Sequence, residues 1–357
     1  SDLFVSGGIC LVCRTRDAAS NHSNFIQGET LMRYGTPMLV MAMGFGFAIS
    51  TPSASYAADQ YSLAVGSLGG TMGRLGAGIS DVFNKNQSAA KFAVSPGGGR
   101  ANPARLGTGG ADLAFSFSNF TATAIAGTTP FKKPYKNLRV IAKFWDSCYH
   151  QYVAKELYNS GIKSWEDIVS SKKALKIALV KKGTSSEYTG YLISKFLGSS
   201  YEKMAKRGDK QTFTGAGAMS RAIRSKQIDI YFHNSGDPQG AGLQAALGRD
   251  LKFMGMSDNV KKMLATHGYT PCVIPGGIYK GNDKDTHSMG LSGVLLTTDK
   301  MSADTVYSLL KTIKNNKKAL SAVHKIFKKW DPKRGAGVKG LPFHKGAIKF
   351  YKEMGVM

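Results

Sequence analysis

Four cysteines are all that this chain of 357 residues carries, and it is equally short of acid, with 23 Asp and Glu against 48 Lys and Arg. So few cysteines exclude a disulfide-built scaffold and leave no zinc-finger spacing. Cys10 and Cys13 form a CxxC pair near the start, and Cys148 and Cys272 stand alone. An oxidising compartment would permit those two to bond, but their spacing does not decide it. The apolar run 38–49 is about a dozen residues long and interrupted by glycine, short of the roughly 20 that span a bilayer. No HExxH, GxSxG or Walker lysine is present, and the first glycine-rich loop, 66–73, lacks the GxGxxG spacing, which argues against metalloprotease, α/β-hydrolase and nucleotide-triphosphate sites and against a dinucleotide site in that loop. His150, His233, His267, His287, His324 and His344 fall singly and read as surface or structural side chains.

What is there begins with a leader. Residues 32–57 carry one basic residue, Arg33, then the apolar stretch, then small residues ending Ser55-Tyr56-Ala57. That is the layout of a secretory signal peptide with cleavage after Ala57. Residues 1–31 fit neither signal nor domain, and are read as a start-site artefact or a disordered segment. Three basic and three acidic residues fall before position 58, so the rest of the chain keeps the whole net charge of +25. Its lysines are scattered rather than massed with stacking aromatics, and export argues against nucleic acid. A basic surface that steers anions is the expectation.

Downstream, strand-like runs alternate with helical stretches and glycine-rich turns, the pattern of α/β domains. Strands are expected at 61–65, 91–94, 112–116, 138–144, 151–154, 175–180, 229–232 and 289–297. The pair 138–144 and 151–154, with no helix between them, suits a crossing from one lobe to another. Several strands run into loops of Gly, Ser, Thr and Asn that open helices: 66–73, 95–102 and 183–186. In open α/β sheets ligands sit beyond the carboxyl ends of the strands, and helix amino termini present unpaired N–H groups that favour an anion.

The order of these segments resembles the TAXI family of TRAP-transporter solute receptors over essentially all of the chain after the leader. YSLAVGSLGGTMGRLGAGISD is similar to that family's first strand and Gly-Ser-x-Gly-Gly-Thr loop, and SPGGGRANPARLGTGGADLAFSFSN to its next loop and strand. LRVIAKFWDSCYHQYVAKELYNSGIKSWEDI, KKGTSSEYTGY, KQIDIYFHNSGDPQ, TPCVIPGGIYKGNDKDTHSMGLSGVLLT, DTVYSLLKTIKNN and LPFHKGAIKFYKEMG follow in the family's order. Gly99 stands where the family usually has Ser.

The resemblance implies a type II periplasmic-binding-protein fold, α/β, with two hinge-connected lobes, each a mixed, mainly parallel sheet flanked by helices. Lobe I would comprise 59–145 plus 284–357, and lobe II 146–283. It implies a periplasmic monomer without cofactor, metal or catalytic activity. Such a receptor takes a small organic anion, a carboxylate or an amino acid such as glutamate, into the cleft and delivers it to TRAP membrane permease subunits. The ligand residues it points to are Ser67, Gly69, Gly70 and Thr71 in the first loop, Asn102 and Ser118 as polar clamps, and Trp145 as an aromatic wall. From the second lobe it points to Thr184, Ser185 and Ser186 at a helix amino terminus. A same-fold receptor serving another uptake system or a sensor, or an enzyme on such lobes, are the alternatives.

Overall fold

The computed structural model describes residues 58–357. The leader and the segment before it lie outside the described residues. The first strands in chain order are β1 (Asp59–Ala64), β2 (Ala90–Ser95), β3 (Leu113–Phe117) and β4 (Leu138–Asp146). Next come β5 (Cys148–Ala154), β6 (Lys176–Val180), β7 (Lys210–Thr214), β8 (Ile230–Ser235) and β9 (Leu251–Phe253). β10 (Thr270–Ile274), β11 (Thr286–Gly290) and β12 (Ser292–Thr298) complete the set.

They form two five-stranded sheets, ordered β2-β1-β3-β12-β4 and β7-β6-β8-β5-β9, and a ribbon of β10 and β11. β1, β2 and β3 run parallel, whereas β12 lies antiparallel between β3 and β4. In the second sheet β6 is parallel to β7 and β8, and β5 is antiparallel to β8 and β9. Both sheets are therefore mixed.

β3, β5 and β8 are buried at every position. Helices cover both faces of such strands, so an unbroken buried run replaces the in–out alternation of a half-exposed strand. In β5 this includes two polar side chains that find partners: Gln151 Nε2 donates to Met254 O at 3.3 Å, leaving its Oε1 without one, and His150 Nδ1 lies 3.0 Å from Cys148 O. Beside the first sheet, the helix Thr71–Asn86 buries Leu75, Ile79, Val82 and Phe83 at the three-to-four spacing of one helical face. Phe83 stacks on Phe92 of β2 with ring centroids 4.1 Å apart.

The chain passes between the sheets where β4 gives way to β5 and again where β11 gives way to β12. The expected strand 289–297 is divided at Leu291, because that residue is the return crossing. The two crossings are bonded to each other. Ser147 N donates to Leu291 O at 2.8 Å, Leu291 N donates back to Ser147 O at 3.3 Å, and the Ser147 hydroxyl donates to Leu291 O at 3.0 Å. Cys148 and Cys272 form a disulfide that ties β5 to β10, with Cα atoms 5.9 Å apart.

Candidate functional site

A cavity of about 40 Å³ lies between the two sheets, lined from both sides. Its walls come from the segments that follow β1, β2 and β6 and from the ends of β3, β4 and β8. No Lys, Arg, Asp or Glu side chain is among them.

Two helices begin at this chamber. Gly70 is the N-cap of Thr71–Asn86 and supplies no side-chain cap. The N–H groups of Thr71, Met72 and Gly73 therefore have no intrahelical acceptor, since the first helical bond runs from Arg74 N to Gly70 O. Opposite, Thr184 caps the helix Ser185–Phe196 by accepting from Glu187 N at 3.2 Å. The amides of Ser185 and Ser186 stay without a helical partner. Two positive helix ends thus converge on one small space.

His233, on β8, contributes a directed donor. The Tyr152 hydroxyl donates to Gln239 Oε1 at 2.9 Å, which turns the amide Nε2 of Gln239 toward His233 Nδ1 at 3.1 Å. An amide nitrogen donates, so Nδ1 accepts and the ring proton sits on Nε2. That nitrogen faces Gly70, 3.8 Å from where a Cβ on Gly70 would stand. Burial, reinforced by neighbouring His150, pushes the His233 pKa down to about 3, so the ring is a neutral N–H donor. Next to it, Asn234 N donates to the Ser186 hydroxyl at 2.9 Å and Asn234 Nδ2 donates to Thr189 Oγ1 at 2.8 Å. Asn234 Oδ1 is buried and has no partner. An orphaned acceptor beside a cavity is the complement of a ligand that brings a donor.

The residues expected from the sequence divide by what their atoms already do. Ser67, Gly70, Thr71, Trp145, Thr184, Ser185 and Ser186 all line the chamber. Within it, Gly70 N is engaged on Ser67 O at 2.9 Å, and the Thr71 hydroxyl meets the Ser235 hydroxyl at 2.9 Å across the cleft. Gly69 lines the outer part of the cleft instead. Asn102 is fully engaged with backbone: its Nδ2 donates to Val65 O at 2.7 Å and Phe115 O at 2.8 Å, and its Oδ1 accepts from Gly98 N at 3.1 Å. It shapes the loop and does not line the chamber, and Ser118 does not line it either.

Met72, Phe117, Val180, His233 and Asn234 line the chamber without having been singled out. His233 in particular is buried and hydrogen-bonded, so of the surface or structural places expected for it the surface one is excluded. The usable signal was its place at the end of a buried strand, DIYF, where ligands gather. Gly99 also has a reason to depart from Ser, because a Cβ there would stand 2.8 Å from the Phe117 ring that forms the wall.

Contacts across the cleft hold the two sides together. Ala101 N donates to Gly183 O at 3.0 Å, and Asn119 Nδ2 donates to His267 O at 3.2 Å. Arg100 lies 3.7 Å from the Glu187 carboxylate and 5.3 Å from the centre of the Tyr188 ring. Burial raises the Glu187 pKa, with Arg100 opposing that shift. Among the described residues no group of three His, Cys, Asp or Glu side chains is placed to hold a metal, and no helix is long and apolar enough to cross a membrane.

A model of the NMT1-like family matches residues 63–355. Among solved structures, the periplasmic binding protein BugD is similar, with a TM-score of 0.50 and 10% identity over 84% of this chain and 94% of that one. MatC from Rhodopseudomonas palustris with bound malate aligns at a TM-score of 0.49 and 13% identity, over 75% of this chain and 88% of that one. The alkanesulfonate-binding protein SsuA from Xanthomonas axonopodis pv. citri bound to MOPS aligns at 0.40 and 12%, over 83% and 85%. Identities this low speak to the fold alone. With two mixed sheets joined by paired crossings and a chamber between them, this chain belongs to the NMT1-like family and has the fold of type II periplasmic binding proteins.

Proposed function

We propose that the protein is a periplasmic solute receptor that captures a small organic anion in the chamber and delivers it to a membrane permease of the TRAP type, as the resemblance to TAXI receptors suggests. The observation that carries the reading is the chamber's polarity. The helix-terminal amides of Thr71, Met72, Ser185 and Ser186 and the His233 Nε2–H offer donors, no charged side chain competes, and Asn234 Oδ1 offers one unmet acceptor. A carboxylate with an adjacent amino or hydroxyl group meets both demands. The carboxylate accepts from the amides and His233, and its neighbour donates to Asn234. Ser67, Ser185 and Ser186 supply hydroxyls around it, and Trp145 and Phe117 its apolar wall. Hinge motion at Ser147 and Leu291 would open and close the lobes on the ligand. An exported chain is supported by the leader at 32–57. Nothing in the lining provides a nucleophile–base pair, which favours binding over catalysis.

Calorimetry on α-amino and α-hydroxy acids, each beside the plain carboxylate of equal length, tests the ligand reading. The substituted acids should bind about tenfold more tightly, the worth of one buried hydrogen bond that is otherwise left unmet. Failure of every anion to bind or to raise the melting temperature would sink it. Uptake into vesicles carrying a TRAP permease should require the receptor; uptake through an ATP-driven permease instead would remove the TRAP assignment and leave the binding reading intact.

A further inference from the structure

The chamber adjoins a larger cavity of about 530 Å³, and Gly66, Ser67, Val180 and Thr184 line both. This outer space also spans the two sides of the cleft: Leu68, Gly69, Pro96 and Gly97 come from one, and Thr214, Gly215, Gly217 and Ala218 from the other. Its chemistry is the opposite of the chamber's. It is lined by two cations, Lys181 and Arg221, and by no carboxylate. Neither cation has an ion-pair partner or a side-chain hydrogen bond among the described residues. Arg139, Arg207, Arg249 and Arg334, by contrast, each sit within 4.0 Å of a carboxylate. Two like charges held at the rim of a cleft with no acid between them leave a net positive field, which the protein walls concentrate. A guanidinium matches a carboxylate or sulfonate with paired, charge-assisted hydrogen bonds.

We propose that this mouth is a second anion subsite and that the ligand is elongated and doubly anionic. Resting on the receptor reading above, one acid group and its donor neighbour occupy the neutral chamber. The tail passes between Ser67 and Thr184, and a second carboxylate or sulfonate reaches Lys181 and Arg221.

The test is calorimetry on the exported chain with pairs that differ only in the tail: glutamate with glutamine, 2-aminoadipate with norleucine, and 2-hydroxyglutarate with 2-hydroxyvalerate. Wild type should bind the acid-tailed member about tenfold more tightly, the scale of one charge-assisted hydrogen-bonded pair, and this preference should shrink as salt is raised. In Lys181→Ala/Arg221→Ala the preference should vanish while the neutral-tailed partners bind within about twofold of wild type. Both side chains are exposed, so the fold is not at stake, and unchanged neutral-tail binding verifies it. Equal binding of the two members by wild type, or a preference that survives the double variant, overturns the subsite while the receptor reading stands. No binding of either member overturns both.

Discussion

His233 shows how a single side chain can be prepared for one role. Tyr152 orients Gln239, Gln239 fixes the imidazole tautomer, and burial keeps the ring neutral, so the Nε2–H is present at any pH at which the protein is handled. Ligand affinity contributed by this donor should therefore be flat from pH 8 to pH 5 in calorimetry. His233→Phe should weaken binding by about tenfold or more by removing the donor. A titration midpoint near 6.5 in the affinity would mean that the ring charges and that this assignment is wrong.

The same ring affects stability. Its folded pKa, about 3, lies below the ordinary value of 6.5, as does that of His324 at about 4. As pH falls through 6.5 the unfolded chain takes up protons that the folded chain refuses, so stability is full above 6.5 and declines toward 4. Each such histidine contributes a slope of about 1.4 kcal/mol per pH unit in that window. Urea unfolding at pH 7, 6 and 5 should show the decline, and His233→Gln should make it shallower; equal slopes in the two proteins would contradict this origin.

At the scale of elements, the sequence displayed whatever is strongly apolar or glycine-marked. LRVIAKF, LKIALV and DLAFS read as strands because their burial on both faces demands such runs, and the loops at 66–73 and 183–186 read as helix openings because small residues lead into amphipathic stretches. β7 (KQTFT) and β10 (TPCVI) were illegible, both being short, the first polar with no fully buried position and the second largely exposed and interrupted by proline. The start of β5 was hidden for the opposite reason, since His150 and Gln151 look like loop residues until their buried hydrogen bonds are seen. The site was legible where it is built from helix openings and opaque where it is built from side chains that act alone. Asn102 invites a ligand role from its place in a loop, and only its four backbone partners reveal a different one.

Gly98 belongs to this scale as well, because it is where the loop after β2 touches the loop after β6. A Cβ there would stand 2.5 Å from Gly183 O, which is the acceptor for Ala101 N across the cleft. Gly98→Ala should hold the two loops apart. Ligand affinity should fall by tenfold or more, and small-angle scattering with ligand present should show a larger radius of gyration than wild type. Wild-type affinity in that variant would show that closure does not pass through this contact.

For the molecule as a whole, the Cys148–Cys272 bond closes a loop across a sequence separation of 124 and ties two strands on the same side of the crossing. It should therefore stabilise without governing closure. Cys148→Ser/Cys272→Ser should lose about 2–4 kcal/mol in denaturant unfolding while ligand affinity in the folded protein changes by less than about twofold. A large affinity loss at full folding would place the bond in the binding cycle after all. The even spread of positive charge belongs to this scale too, and it is why composition alone pointed to anions without locating where they bind.

The pairing of Ser147 with Leu291 gives departure a direction. Both crossings meet there, two residues from Trp145 on the chamber wall, whereas Lys181 and Arg221 stand at the rim. Turning about such a pivot displaces nearby atoms little and outlying atoms most. Rim contacts should thus rupture early in opening, while the inner carboxylate is still held against nearly stationary amides. On the proposed receptor reading, release would be a peeling from the outside inward, so a change at the rim should show itself first in how fast a ligand leaves.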